Sequence, residues 1–173
     1  MPRLQKDFFT RDVLLVAPDL LGKFLVRRFE DGKIKKHRIT EVEAYRGEED
    51  LACHANKGRT PRTEIMYHEG GHIYVYLIYG MYWMLNFVTE KEGIPQAILI
   101  RGIEGFDGPG KLTKNLQIDK SFYGENLNIS QRLWIEDGLS SLEIKYKTTP
   151  RIGIDYAREI YKNKLWRFVL DLK

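Results

Sequence analysis

Cysteine is almost missing from this chain: Cys53 is the single one in 173 residues. No internal disulfide can staple the fold, and such usage fits a reducing compartment, so a cytoplasmic protein is expected. Long apolar runs are missing too. The longest, Ile73 to Val88, is shorter than the roughly 18 residues of a membrane-spanning helix and contains Asn86 and four tyrosines. It reads as a pair of strands, and no membrane partner is expected. No charged-then-apolar leader opens the sequence, which predicts no signal peptide. No repeat, low-complexity tract or linker divides it, so residues 1–173 are expected to form a single domain. Nor is one sign of charge in large excess: the net charge of +4 permits a polyanion partner without requiring one.

What is present is an ordinary globular composition, 43% hydrophobic and 30% charged. Basic residues recur at Lys33, Lys35, Lys36 and Arg38, at Lys57, Arg59 and Arg62, and again from Lys145 to Arg167. Acidic residues are mixed among them, so charge alone describes a solvated surface. Aromatic rings are the concentrated component. Tyr74, Tyr76, Tyr79, Tyr82 and Trp83 crowd one short stretch, which leads through an apolar run to Arg101. Upstream stand Glu43, Tyr45 and His54. Flat rings beside an isolated carboxylate suit a planar group, neutral or cationic. A nucleobase is one, and stacking on rings is worth about 1–3 kcal/mol per base.

Local patterns divide the chain. Thr10 is placed to cap a short helix through Ala17, and a turn over Pro18 to Leu21 stops at Gly22. Lys23 to Phe29 and Lys33 to Tyr45 read as strands joined by Glu30-Asp31-Gly32. In the second strand, period-two alternation puts Ile39, Glu41, Glu43 and Tyr45 on one face and Thr40, Val42 and Ala44 on the other. Thr60-Pro61 suggests an N-cap and first helical position. Strands over Ile73 to Ile78 and Tyr82 to Val88 pair through a Gly80-Met81 turn of the type with glycine first, leaving Tyr79 and Met81 at the tip. Ala97 to Arg101 is a further strand, and Gly108-Pro109-Gly110 introduces a helix carrying Leu112 and Leu116. Two strand-like runs, Leu133 to Glu136 and Leu165 to Leu170, complete the pattern. The expected architecture is α+β: a single compact domain, mainly antiparallel sheet, with peripheral helices and a protruding β-hairpin.

Several motifs compete for the chemistry. His68-Glu69-Gly70-Gly71-His72 matches the H-E-x-x-H pattern of zinc peptidases, which works only on a helix that brings both histidines to one face. Two adjacent glycines oppose a helix by about 1 kcal/mol each, so a polar turn is expected, with a zinc metallopeptidase as the alternative. Gly105 to Lys111 nearly completes a phosphate-binding loop, but Leu112 stands where a magnesium-ligating hydroxyl belongs. Cys53 and His54 are adjacent, a poor placement for a nucleophile and its base. Taken singly, Glu43 is one strand carboxylate, His54 a surface histidine, and Tyr76 and Asn86 sheet residues. Their combination and order carry more.

That combination is similar to the alkyladenine (3-methyladenine) DNA glycosylase family. The matching strings are Glu41-Val42-Glu43-Ala44-Tyr45, Asp50-Leu51-Ala52-Cys53-His54 and Gly58-Arg59-Thr60-Pro61-Arg62. They continue from Tyr74 through Met81 and Tyr82 to Asn86, and on to Leu99-Ile100-Arg101. Weaker likeness in Asp7-Phe8-Phe9, Leu20-Leu21-Gly22 and Gly108 through Phe122 extends the resemblance over most of the chain.

The resemblance implies a monomeric enzyme that excises alkylated or deaminated purines from duplex DNA without metal or cofactor, nucleoid-associated in a prokaryote. It implies that Glu43 activates the attacking water and that Arg101 helps to position it. Tyr45, His54 and Tyr76 would surround the extruded base, with the Ala52 and His54 backbone near its edge. Asn86 would police the purine 2-amino group. Tyr79 would fill the gap left in the duplex, with Met81, Arg59 and Arg62 against the DNA. No lysine stands among these matched residues, which argues against Schiff-base chemistry. Glu41, on the face of Glu43, is the fallback carboxylate. The sequence departs from the family in a short segment between Arg101 and Gly108, where a longer helical one is usual, and in Cys53, where alanine is usual. A non-catalytic nucleic-acid-binding module would use the same rings without Glu43 chemistry.

Overall fold

The computed structural model describes residues 1–140 and 142–172. In chain order they form α1 (Lys6–Phe9), α2 (Val13–Leu20), β1 (Phe24–Arg28), β2 (Ile34–Tyr45), β3 (Ile73–Ile78), β4 (Tyr82–Thr89), β5 (Gln96–Ile103), β6 (Phe106–Asp107), α3 (Pro109–Asn115), β7 (Leu133–Glu136), β8 (Tyr146–Thr149), α4 (Glu159–Lys162) and β9 (Arg167–Leu170). Nine strands make one antiparallel sheet with the path β3-β4-β5-β2-β1-β7, to which β6 adds on β5, and β9 on β2 and β8. This is the expected α+β domain with helices at its periphery. β8 carries mostly exposed polar residues and had no alternation to announce it.

Alternation along the central strands divides the sheet into two chemically different faces. Ile73 and Val75 of β3, Leu85 and Phe87 of β4, Ile98 and Ile100 of β5, and Val42 and Ala44 of β2 point to the main core, with Val13, Val16, Ala17 and Leu20 of α2. The opposite face carries Glu43, Tyr45, Tyr74, Tyr76, Asn86 and Arg101. Strict alternation fails at one place. Register shifts flank Glu41 where β2 meets β5, and Ile39 lies in the main core with Val42 and Ala44 rather than beside Glu43. A bulge inserts one residue and so flips every side chain before it.

The N-terminal expectation is also corrected. Thr10 ends α1 rather than opening a helix, and Asp12 caps α2, its carboxylate accepting from Leu14 N at 2.9 Å. Pro18 is accommodated inside the last turn of α2. Thr60-Pro61 does not open an α-helix: residues 61–63 form a turn, and a 3₁₀ turn follows at Glu64–Tyr67.

The hairpin stands as expected, with a different turn. Ile78 pairs with Tyr82, and Met81 N donates to Ile78 O at 3.1 Å, so Tyr79 and Gly80 are the central residues. Both are left-handed, with φ of 52° and 66°, a requirement of hairpin turns whose twist matches the strands. Gly80 meets it freely, whereas a tyrosine in that region carries strain. The hairpin is braced from below by α3. A Cβ on Gly110 would lie 2.9 Å from the Tyr82 ring, and Thr113 Oγ1 donates to Trp83 O at 2.8 Å.

Candidate active site

The cleft beside the second face has a volume of about 830 Å³ and is walled by Tyr45, His54, Arg62, Tyr76, Tyr79 and Arg101, among others. Behind three of its lining residues, Tyr45, Arg101 and Ile152, lies Glu43, which is fully buried. Its two oxygens are held separately: Tyr45 Oη donates to Oε1 at 2.8 Å, and Ile152 N donates to Oε2 at 2.6 Å. Arg101 Nη1 lies 3.8 Å from Oε1. Burial pushes the Glu43 carboxyl above its ordinary value. The Arg101 guanidinium, the Ile152 amide and the Tyr45 hydroxyl oppose that rise without cancelling it. Such a carboxylate is desolvated and basic.

Glu41 is differently placed. Its Oε1 accepts from Arg101 Nε at 3.1 Å and from Arg167 Nε at 2.6 Å. That oxygen is committed to two guanidiniums, and through one of them Glu41 orients Arg101.

His54 Nδ1 is 2.8 Å from Tyr74 Oη, and its ring meets that of Tyr76 edge-on at 4.5 Å. Burial, and then the Arg62 and Lys57 charges, lower its pKa to about 4. The imidazole is therefore neutral at physiological pH. Burial raises Tyr74 to about 12, so its hydroxyl keeps its proton and the contact with Nδ1 joins two neutral groups.

The other expected site residues divide. Ala52 lies in the cleft wall. Asn86 lies deeper, in an adjoining recess shared with Tyr74, where its Nδ2 donates to the Tyr74 and Met84 carbonyls at 3.2 and 3.3 Å. Tyr79 and Met81 project from the hairpin, 84% and 64% exposed. Arg62 lies over the Tyr76 ring at 5.1 Å. Arg59 is turned away to Glu64 and the Tyr67 ring. Two exposed lysines, Lys57 and Lys111, also line the cleft. Cys53 is buried, and its thiol is pushed up to about 12 by burial, so it is no nucleophile.

His68 and His72 do not form a zinc-peptidase helix. They flank a turn at Gly70-Gly71, and His72 bridges to Asn126. Glu69, the residue that would act as base, pairs with Lys6 at 2.5 Å. No cluster of three His, Cys, Asp or Glu side chains suited to a metal occurs among the described residues.

Sequence reasoning missed one whole wall. Arg151 is fully buried against Asp50, with contacts of 2.6 and 2.9 Å, and donates to Ala44 O. Its guanidinium also stacks on Tyr45 and Trp166, 4.9 Å from each ring centre. This anchor delivers Ile152 to Glu43 and brings Tyr156 over the cleft. Locally the sequence shows only an arginine between Pro150 and Ile152-Gly153-Ile154, which points to none of these contacts.

Rings, a buried carboxylate and an exposed aromatic hairpin make a site whose shape suits a planar group. The methylpurine-DNA glycosylase (MPG) family model matches residues 7–107 and 104–173. A Legionella pneumophila (strain Corby) protein is 46% identical over 98% of this chain and 95% of its own length. One from Methanocella arvoryzae is 46% identical over 97% and 92%, and one from Natranaerobius thermophilus 40% over 97% and 95%. All three carry the name "Putative 3-methyladenine DNA glycosylase". The chain belongs to the methylpurine-DNA glycosylase family and is thus a DNA glycosylase, a DNA-binding hydrolase of base-excision repair.

Proposed function

We propose that this chain hydrolyses the N-glycosidic bond of alkylated or deaminated purines in duplex DNA, the 3-methyladenine, hypoxanthine and ethenoadenine class, and leaves an abasic site. The observation that carries this reading is the fully buried Glu43 behind the rings of Tyr45, His54 and Tyr76. The lesion is extruded from the stack at a cost of a few kcal/mol, least for damaged or mispaired bases. Glu43 takes a proton from water as the water oxygen bonds to the sugar C1′. The C1′–N bond breaks with its electron pair leaving on the base, and the carboxylate stabilises the oxocarbenium-like sugar meanwhile. Tyr45 and the Ile152 amide fix the carboxylate, and Arg101, oriented by Glu41, holds the water. An N-alkylated purine is cationic, and a neutral His54 does not repel it, while tyrosine faces attract it.

The test is release of free base from duplexes carrying each lesion, run with borohydride trapping. Base release without a trapped protein–DNA adduct is expected. Binding without release would leave a non-catalytic module, and a trapped adduct would assign Lys57 or Lys111 a Schiff-base role.

Tyr79 is the proposed wedge, and its strained backbone separates wedge from scaffold. Asparagine tolerates the left-handed region. Tyr79→Asn is expected to leave the melting temperature unchanged or raise it, while slowing single-turnover excision on the order of tenfold. The loss should be smaller when the lesion faces a mismatch. Equal losses in both contexts, or a lowered melt, would make Tyr79 a packing residue.

A further inference from the structure

The cleft and the recess behind it adjoin, and their common wall includes a residue with no role in the chemistry above. The recess, which contains Asn86, has a volume of about 40 Å³. One water needs at least roughly 10–15 Å³ on this measure, so the recess takes a few waters and not a fused two-ring base. Tyr45, Ala52, Cys53, His54, Tyr76 and Tyr156 border both spaces. Of these, Tyr156 is 68% exposed, and its hydroxyl donates across the junction of the two spaces to the Ala52 carbonyl at 3.1 Å. Its backbone is fixed. Ile154 and Ala157 are buried against Ala52, and Ala157 N donates to Ile154 O at 2.9 Å. Motion is left to the side chain, whose exposed ring gives up little packing when it turns.

We propose that Tyr156 is a side-chain lid on the base pocket, latched by its hydrogen bond to the Ala52 carbonyl. This rests on the glycosylase reading above. A base can reach the recess only when the latch is broken, so the apparent affinity for the extruded base is reduced by the fraction of time the lid stands open. Opening also frees the Ala52 carbonyl, and a base that presents an N–H there replaces the lost bond.

The test uses the full chain and a duplex with one ethenoadenine, whose fluorescence reports departure from the stack and arrival among the rings. Both proteins carry Glu43→Gln so that the base stays attached. Tyr156→Phe keeps the ring and removes the latch. Its rate of base capture should rise about fivefold, the net weight of one neutral hydrogen bond, with the return rate unchanged. An unchanged or slower capture rate would overturn the lid. The parent reading fails separately, if the protein with Glu43 intact releases no ethenoadenine from the same duplex.

Discussion

Glu43→Gln should lower single-turnover base release by about 10²–10⁴-fold, the usual contribution of a positioned general base, with binding to lesion-bearing duplex preserved. The amide has nearly the shape of the carboxylate and can still accept from Ile152 N, but it cannot take a proton from water. Glu41→Gln should cost far less, since its oxygen can still receive Arg101 and Arg167. A dead Glu41→Gln beside a competent Glu43→Gln would exchange the two roles.

The same variant has a pH signature in stability. Burial raises the Glu43 carboxyl above its ordinary 4.5, so between those two values the folded protein holds the proton more tightly than the unfolded chain. Stability from this group is therefore present at low pH and lost as pH rises through the raised value. Glutamine does not titrate. Relative to the parent protein, the melting temperature of Glu43→Gln should rise as the pH climbs upward from the ordinary carboxylate value of 4.5, and a constant difference would show that the carboxyl is not raised. The acid limb of the excision profile should likewise lie above the ordinary carboxylate range.

Asp50→Ala should have the largest effect on the fold. Asp50 and Arg151 are both fully buried and paired, and Asp50 also accepts from the Arg46 and Ala52 amides at 2.9 and 3.1 Å. Removing one partner of a buried pair costs about 3–5 kcal/mol because the other charge is stranded. In a chain of this size that lowers the melting temperature by roughly 6–20 °C. Excision should fall as well, since Arg151 delivers Ile152 to Glu43. The double variant Asp50→Ala/Arg151→Met should be less damaged than the two single losses summed. Additive losses would mean that the pair does not act as a unit.

These residues also mark what the sequence could and could not reveal. β3, β4 and β5 were legible because alternation and burial agree along them, and with them came Tyr76 and Arg101. The Glu43-Ala-Tyr45 spacing was legible for the same reason. The bulge at Glu41 was not, because an inserted residue leaves no local trace and shows only in the pairing with β5. The Asp12 cap was hidden by a competing Thr10. The wall from Arg151 to Tyr156 was least visible of all. Its meaning lies in contacts about a hundred residues away, with Asp50, Glu43 and Ala52, and nothing near Arg151 in the chain signals them.

The burial of Cys53 has a consequence for the circumstances in which such an enzyme works. Electrophiles that alkylate purines also attack thiolates. With its thiol pushed up to about 12 by burial, Cys53 is almost entirely un-ionised at neutral pH. The chain's single thiol is thereby withdrawn from alkylating reagents, and on the function proposed above the protein would be spared a covalent injury while its substrate accumulates around it.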